Sequence, residues 1–241
     1  MPRISARRIA ALVAVAVTLF VLGLVAGLVL VGRHGTGPIA SSDVSGENFT
    51  ISHRVLVPLA KVIAVVGDAG ALGVIAVVAT LIWFWRERTV RALVPVAAYL
   101  GGEGLVFGIR EVIHRYRPPS ADFPGPHALS GIHETSWSFP SGHATACTAV
   151  LVACLGCLAL ARRTVWPWLL ALLAAAAVGY SRLDLGVHWP SDVYIGFVLG
   201  AAWGVTVAVV ATALVHPDRR KERPRQAVTT PTSMSGPSSG P

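Results

Sequence analysis

From Ile9 to Gly32 the chain carries no charge and only one hydroxyl side chain, Thr18. About 20 apolar residues in helical form cross the hydrocarbon core of a bilayer. Only helices and closed barrels satisfy every backbone hydrogen bond there. A cleavable signal has a shorter apolar core, about 7–15 residues. This run is longer, shows no small-residue cleavage site and follows Arg3, Arg7 and Arg8, so it reads as an uncleaved first helix. Five further runs have the same character: Ala69 to Trp85, Ala92 to Ile113, His143 to Ala161, Val165 to Tyr180 and Val193 to Val215. The expected fold is therefore all-α, a bundle of six transmembrane helices. The 13% charged content agrees, since soluble domains carry about 25%.

Residues 1–8 read as a cytoplasmic N-terminus, 9–215 as the membrane domain, and 216–241, rich in Pro, Ser, Gly and Thr, as a disordered cytoplasmic tail. Residues 33–53 read as a polar loop, where Asn48-Phe49-Thr50 matches a glycosylation pattern common by chance. Residues 54–67, apolar with Arg54 and Lys61 embedded, suit an amphipathic helix lying at the interface. Residues 114–140 form a Pro- and Gly-rich loop. Cys147, Cys154 and Cys157 share one apolar run and read as small packing residues.

The net charge of +8 would suggest nucleic acid in a soluble protein. Here it is an orientation signal, and no nucleic-acid partner is expected. Six spans put both termini, the 86–91 loop, the Arg162-Arg163 loop and the tail on one side. That side holds thirteen of the 20 Lys and Arg residues, which makes it cytoplasmic. Of the remainder, Arg110, Arg117 and Arg182 fall in the motifs described next. Arg33, Arg54, Lys61 and Arg115 are left on the outer side with no assigned role.

With this topology three segments meet at the outer membrane surface: REVIHRYRP (110–118), PSGH (140–143) and SRLDLGVHWPSD (181–192). Arg110, Arg117 and Arg182 are three guanidiniums without a matching number of nearby acids. Their forks suit phosphate oxygens. A single arginine there would read as a snorkelling side chain; three beside two histidines do not. Ser141 and Gly142 stand where the fourth helix begins. A helix N-terminus offers free N–H groups to an anion, although a serine there is also a plain N-cap. His188 and Asp192 are four residues apart, a spacing that brings the carboxylate to one imidazole nitrogen and leaves the other nucleophilic. His143 supplies a second titrating group. Such a set suits phosphoryl transfer through a phosphohistidine. His143, His188 and Asp192 are also metal-ligand types, but three permanent cations beside them would repel a divalent ion, so neither metal nor cofactor is expected.

R-x6-RP, PSGH and SR-x5-H-x3-D, in this order, resemble the three-part signature of the type 2 phosphatidic acid phosphatase superfamily. LGVHWPSD is especially like its bacterial members. The resemblance covers about residues 54–215. It implies a metal-independent phosphatase of a membrane lipid phosphate or pyrophosphate, of the polyprenyl pyrophosphate, phosphatidate or phosphatidylglycerophosphate type, in the plasma membrane. It implies His188 as nucleophile, Asp192 as its orienter and His143 as acid, then base. Arg117, Arg182, Ser141 and Gly142 would hold the phosphoryl oxygens together with Arg110, which stands where the family usually has lysine. The alternatives from other classes are an inactive membrane binding protein and a transporter on the same scaffold. Glu103 reads as a carboxyl paired inside the bundle. Asp184 reads as lying outside the site, and His127, His133, Asp122 and Glu134 as solvated loop residues.

Overall fold

The computed structural model describes residues 6–54, 56–119 and 134–215. Among the described residues the chain is helical, with eight α-helices: α1 (Ala6–Ala26), α2 (Ala40–Ser52), α3 (Val57–Gly67), α4 (Ala69–Glu87), α5 (Val94–Ile113), α6 (Gly142–Arg162), α7 (Trp166–Asp184) and α8 (Pro190–Val215). Six helices are long and apolar enough to cross a membrane: α4, α6, α7, α8, α1 with the turns that carry it to Gly35, and α5 with its leading turn. This is a multi-pass membrane protein, with the six spans expected. The expected tail, 216–241, and His127, His133 and Asp122 lie outside the described residues.

α6 is the central helix, packed between α5, α7 and α8. Its closest partner is α8, and the reason is compositional. Gly196, Gly200 and Gly204 recur every fourth residue along α8 and face Ser141, Thr145 and Ala149 of the α6 segment. Small residues at this spacing let two helix backbones approach closely within a membrane. α1 lies against α5 and α8, and α3 lies across α7.

Helix boundaries follow local chemistry. Proline falls in the first turn of α3, α5, α7 and α8, where its missing N–H costs no intrahelical bond. Pro95, expected inside the third span, sits at its start because a 3₁₀ turn over Val90–Leu93 precedes α5. The Asp68 side chain accepts the Gly70 N–H (2.9 Å) and caps α4. The fifth span runs past Tyr180 to Asp184, so Ser181 and Arg182 are helical.

Residues 33–53 correct the sequence reading. Most of that stretch is α2, not loop. Its sequence, ASSDVSGENFTIS, has no apolar period to reveal a helix. What it buries is charge: Asp43 and Glu47 are its buried side chains.

Candidate active site

α5 ends at His114, whose left-handed backbone turns the chain out of the helix. Arg110, in its last turn, donates from Nε to the Pro140 carbonyl (3.2 Å) and from Nη1 to Ser136 Oγ (3.0 Å). The next residues, 114–118, are neither helix nor strand and carry Arg115 and Arg117 inward. Both are buried. Arg117 donates from Nε to the Ser136 carbonyl (2.9 Å) and from Nη1 to the Val187 carbonyl (2.7 Å).

His188 and Asp192 lie on either side of the start of α8. The Asp192 Oδ2 atom lies 3.4 Å from His188 Nδ1, accepts the Trp189 N–H (3.0 Å) and accepts the Ser138 hydroxyl. On the other face of the imidazole, Arg117 Nη1 lies 3.1 Å from Nε2. A guanidinium can only donate, so Nε2 carries the lone pair and Nδ1 the proton. The ring is held neutral: burial lowers its pKa well below the ordinary value, and the cations Arg117 and Arg182 lower it further.

Ser141 is the N-cap of α6, accepting the Ala144 N–H on its hydroxyl (3.4 Å). Its own N–H donates to the Asp192 carbonyl (3.0 Å), which ties the start of α6 to the start of α8. His143 follows in the first turn, with Nε2 3.0 Å from the Ala64 carbonyl of α3 and 3.4 Å from Arg182 Nη1. The shorter contact requires Nε2–H, so we assign the proton there. Gly67 permits this seat, since a Cβ on it would meet His143 Cδ2 at 2.9 Å. Arg182, in the last turn of α7, is buried behind His143.

These groups enclose a polar cavity of about 200 Å³, lined among others by Arg110, Arg117, Gly142, His143 and His188. The structure thus brings together the expected site residues from three separate segments. Ser141, Arg182 and Asp192 stand behind the wall that the others form.

One expectation about an acid is corrected. Glu134, read as a solvated loop residue, is inside the cavity. One of its oxygens pairs with Arg182 and the other lies 3.2 Å from Arg117 Nη2. The arginines therefore do have a matching acid nearby. Burial alone would raise the Glu134 pKa, but Arg117 and Arg182 outweigh it and hold the carboxyl at about 2. Burial pushes Arg117 down to about 10, against the pull of Glu134. Glu103, read as paired within the bundle, is also among the residues that line the cavity. Asp184 lies outside the cavity and is buried, with no hydrogen-bond partner for either carboxylate oxygen among the described residues.

Sequence reasoning also missed Arg115, set aside as an outer-side cation. It is buried and bonded to Asp43 and Asp192 (both 2.6 Å). Ser136 and Ser138 were missed as well. The available signal was a second arginine two residues before Arg117, and two serines within five residues of the PSGH motif.

The fold and cavity define a class: a membrane helix bundle with one buried, arginine-walled polar site at a helix-end face, equipped with a neutral histidine. The model of the PAP2 superfamily matches residues 91–216, more than half of the chain. The protein belongs to that superfamily. It is 33% identical to an undecaprenyl-diphosphatase of Sulfolobus acidocaldarius over 53% of this chain and 58% of that one. It is 37% identical to phosphatidylglycerophosphatase B of Bacillus subtilis over 40% and 50%. The matches therefore span about half the length of these curated relatives. The crystal structure of a transmembrane PAP2-type phosphatidylglycerolphosphate phosphatase from Bacillus subtilis superposes with a TM-score of 0.65. The two are 26% identical, and the match covers 81% of this chain and 93% of that one.

Proposed function

We propose that the protein is a metal-independent phosphatase of membrane lipid phosphates or pyrophosphates that works through a phosphohistidine. The observation that carries this is the His188 imidazole. Nδ1–H faces Asp192, and Nε2 keeps a lone pair at a cavity walled by Arg110 and Arg117. The arginines supply the charge neutralisation that a metal gives elsewhere. Substrate phosphoryl oxygens take the seat of the Glu134 carboxylate and accept the guanidinium hydrogens. His188 Nε2 attacks phosphorus, and the bond to the leaving oxygen breaks. His143, which enters this step as the imidazolium and keeps Nε2–H on the Ala64 carbonyl, gives its other proton to that oxygen, which leaves as a lipid alcohol or, from a pyrophosphate, as a lipid monophosphate. Water then attacks phosphorus with His143 taking its proton. The P–N bond breaks, and phosphate departs from a regenerated His188.

The names of the relatives point to polyprenyl pyrophosphate and phosphatidylglycerophosphate as substrate classes. The distribution of basic residues supports a plasma-membrane enzyme with cytoplasmic termini and its cavity outside. Arg86, Arg88, Arg91, Arg162 and Arg163 sit at the helix ends and turns opposite the cavity. A transporter would place its polar site near the midplane, whereas these charges lie at helix ends. The test is phosphate release by the purified protein from polyprenyl pyrophosphate, phosphatidate, phosphatidylglycerophosphate and a soluble phosphomonoester. Release from at least one lipid is expected. A folded protein that releases phosphate from none of them overturns the proposal.

A further inference from the structure

Asp192 has two carboxylate oxygens, and the structure uses them differently. Oδ2 serves His188, Ser138 and the Trp189 N–H. Oδ1 receives one arm of Arg115, Nη1, at 2.6 Å. The other arm, Nη2, reaches Asp43 Oδ2 at 2.6 Å. Ser191 closes the loop. Its hydroxyl accepts from Arg115 Nη1 (2.7 Å) and donates to Asp43 Oδ2 (2.6 Å), while its N–H donates to Asp43 Oδ1 (2.9 Å). The guanidinium carbon stands 5.2 Å from the centre of the Trp189 ring. All three charged groups are buried. A planar fork bonded at both ends has no rotational freedom left, and it denies Asp192 the freedom to turn its Oδ2 away from the imidazole.

Asp43 is remote in every other sense. It belongs to α2, a helix without an apolar face whose buried side chains are the acids Asp43 and Glu47. It also lies before residue 91, where the match to the superfamily begins. A polar helix preceding the matched region is thus wired to a carboxylate at the centre of the site.

We propose that Asp43 and Arg115 are positioning residues: Asp43 locks the Arg115 fork onto Oδ1 of Asp192, so that Oδ2 is held against Nδ1 of His188. This rests on the reading of His188 and Asp192 given above. Neither residue lines the cavity between Arg110 and His188, so neither is placed to hold the phosphoryl group there. The effect falls on turnover and leaves substrate binding alone.

The test compares Asp43→Asn, Arg115→Lys, Arg115→Ala and the double variant Asp43→Asn/Arg115→Ala with wild type. kcat per folded molecule and KM are measured on the best lipid substrate, with folding followed by thermal unfolding in detergent. Loss of an outer-shell group that orients a metal ligand costs about 10- to 100-fold, and a loss of the same order is expected for a group that orients the carboxylate behind a nucleophile. Each single variant is expected to lose kcat in that range with KM within about twofold of wild type. Lysine keeps the charge but lacks the planar fork whose two arms meet Asp43 and Asp192 in one fixed geometry, so Arg115→Lys is expected to fail as a rescue. Because Asp43 acts through Arg115, the double variant is expected to be no worse than Arg115→Ala. If Arg115→Ala does not fold, the isosteric Asp43→Asn and the charge-keeping Arg115→Lys decide. Wild-type kcat in Asp43→Asn, a rise in KM that accounts for the loss, full rescue by lysine, or additive losses would each overturn the relay while wild-type phosphatase activity stands. Absence of phosphate release by wild type itself would remove the reading beneath it.

Discussion

Gly200→Ala perturbs the contact on which the site's two halves depend. Gly200 lies on α8 against the backbone of α6. A Cβ built there falls 2.3 Å from the Thr145 carbonyl oxygen and 3.0 Å from Thr148 Cβ, where ordinary contact begins at 3.4 Å. The obstacle is backbone and cannot rotate aside, so the helices must part by about 1 Å or the protein must strain. Overpacking of this kind costs about 1–3 kcal/mol. A net loss near 2 kcal/mol corresponds to about 4–8 °C in Tm for a chain of this size. The catalytic consequence follows from geometry. His143 rides on the first turn of α6, and His188 and Asp192 flank the first turn of α8. A misplacement of about 1 Å between reacting groups costs about 100-fold in rate. The control is Gly104→Ala on α5, where a Cβ meets no heavy atom within 4 Å. That change is expected to be neutral or to stabilise by up to about 1 kcal/mol from helix propensity. Thermal unfolding in detergent and kcat on a lipid substrate measure both variants. A Gly200→Ala protein with the Tm and kcat of Gly104→Ala would refute the claim that close approach of α6 and α8 sets the site.

Other outcomes follow from the site itself. His188→Ala should fold with wild-type stability yet lose several orders of magnitude in kcat; turnover within tenfold of wild type would remove its role as nucleophile. Turnover should survive EDTA and be inhibited by vanadate, and activity lost to chelation and restored by Mg²⁺ or Zn²⁺ would contradict the arginine-based cradle. Glu134→Gln should tighten inhibition by inorganic phosphate by about tenfold, or 1.4 kcal/mol, because the carboxylate competes for Arg117 and Arg182. With its pKa depressed to about 2, the ion pair's contribution is present above the ordinary carboxyl value of 4.5 and is lost only as pH falls through about 2. Phosphate inhibition of wild type should therefore show no Glu134 titration between pH 5 and 8, and a step there that vanishes in Glu134→Gln would disprove the assignment. Finally, with Cys147, Cys154 and Cys157 changed to alanine, a cysteine at exposed Ser45 should react with a membrane-impermeant thiol reagent in intact cells. One at exposed Arg163 should not, and the reverse pattern would turn the cavity toward the cytoplasm.

The sequence by itself determined whatever depends on neighbours along the chain. Six apolar runs dictate six spans because the bilayer leaves an apolar chain no other way to satisfy its backbone. Ser141 stands where α6 begins, since an N-cap is a property of a first turn. The four-residue step from His188 to Asp192 fixes their meeting before any packing is known. Only the tertiary structure decided the partners of the buried charges. Glu134 stands 48 residues from Arg182, and Arg115 lies 72 from Asp43 and 77 from Asp192. No periodicity links such pairs, and a lone acid or arginine in a polar stretch looks the same whether it meets water or a buried ion. α2 stayed hidden for the same reason. Helices are read from apolar faces, and this one is anchored through Asp43, whose partners lie elsewhere in the chain. Its place became visible only once Asp43 was seen to grip Arg115 and, through it, Asp192.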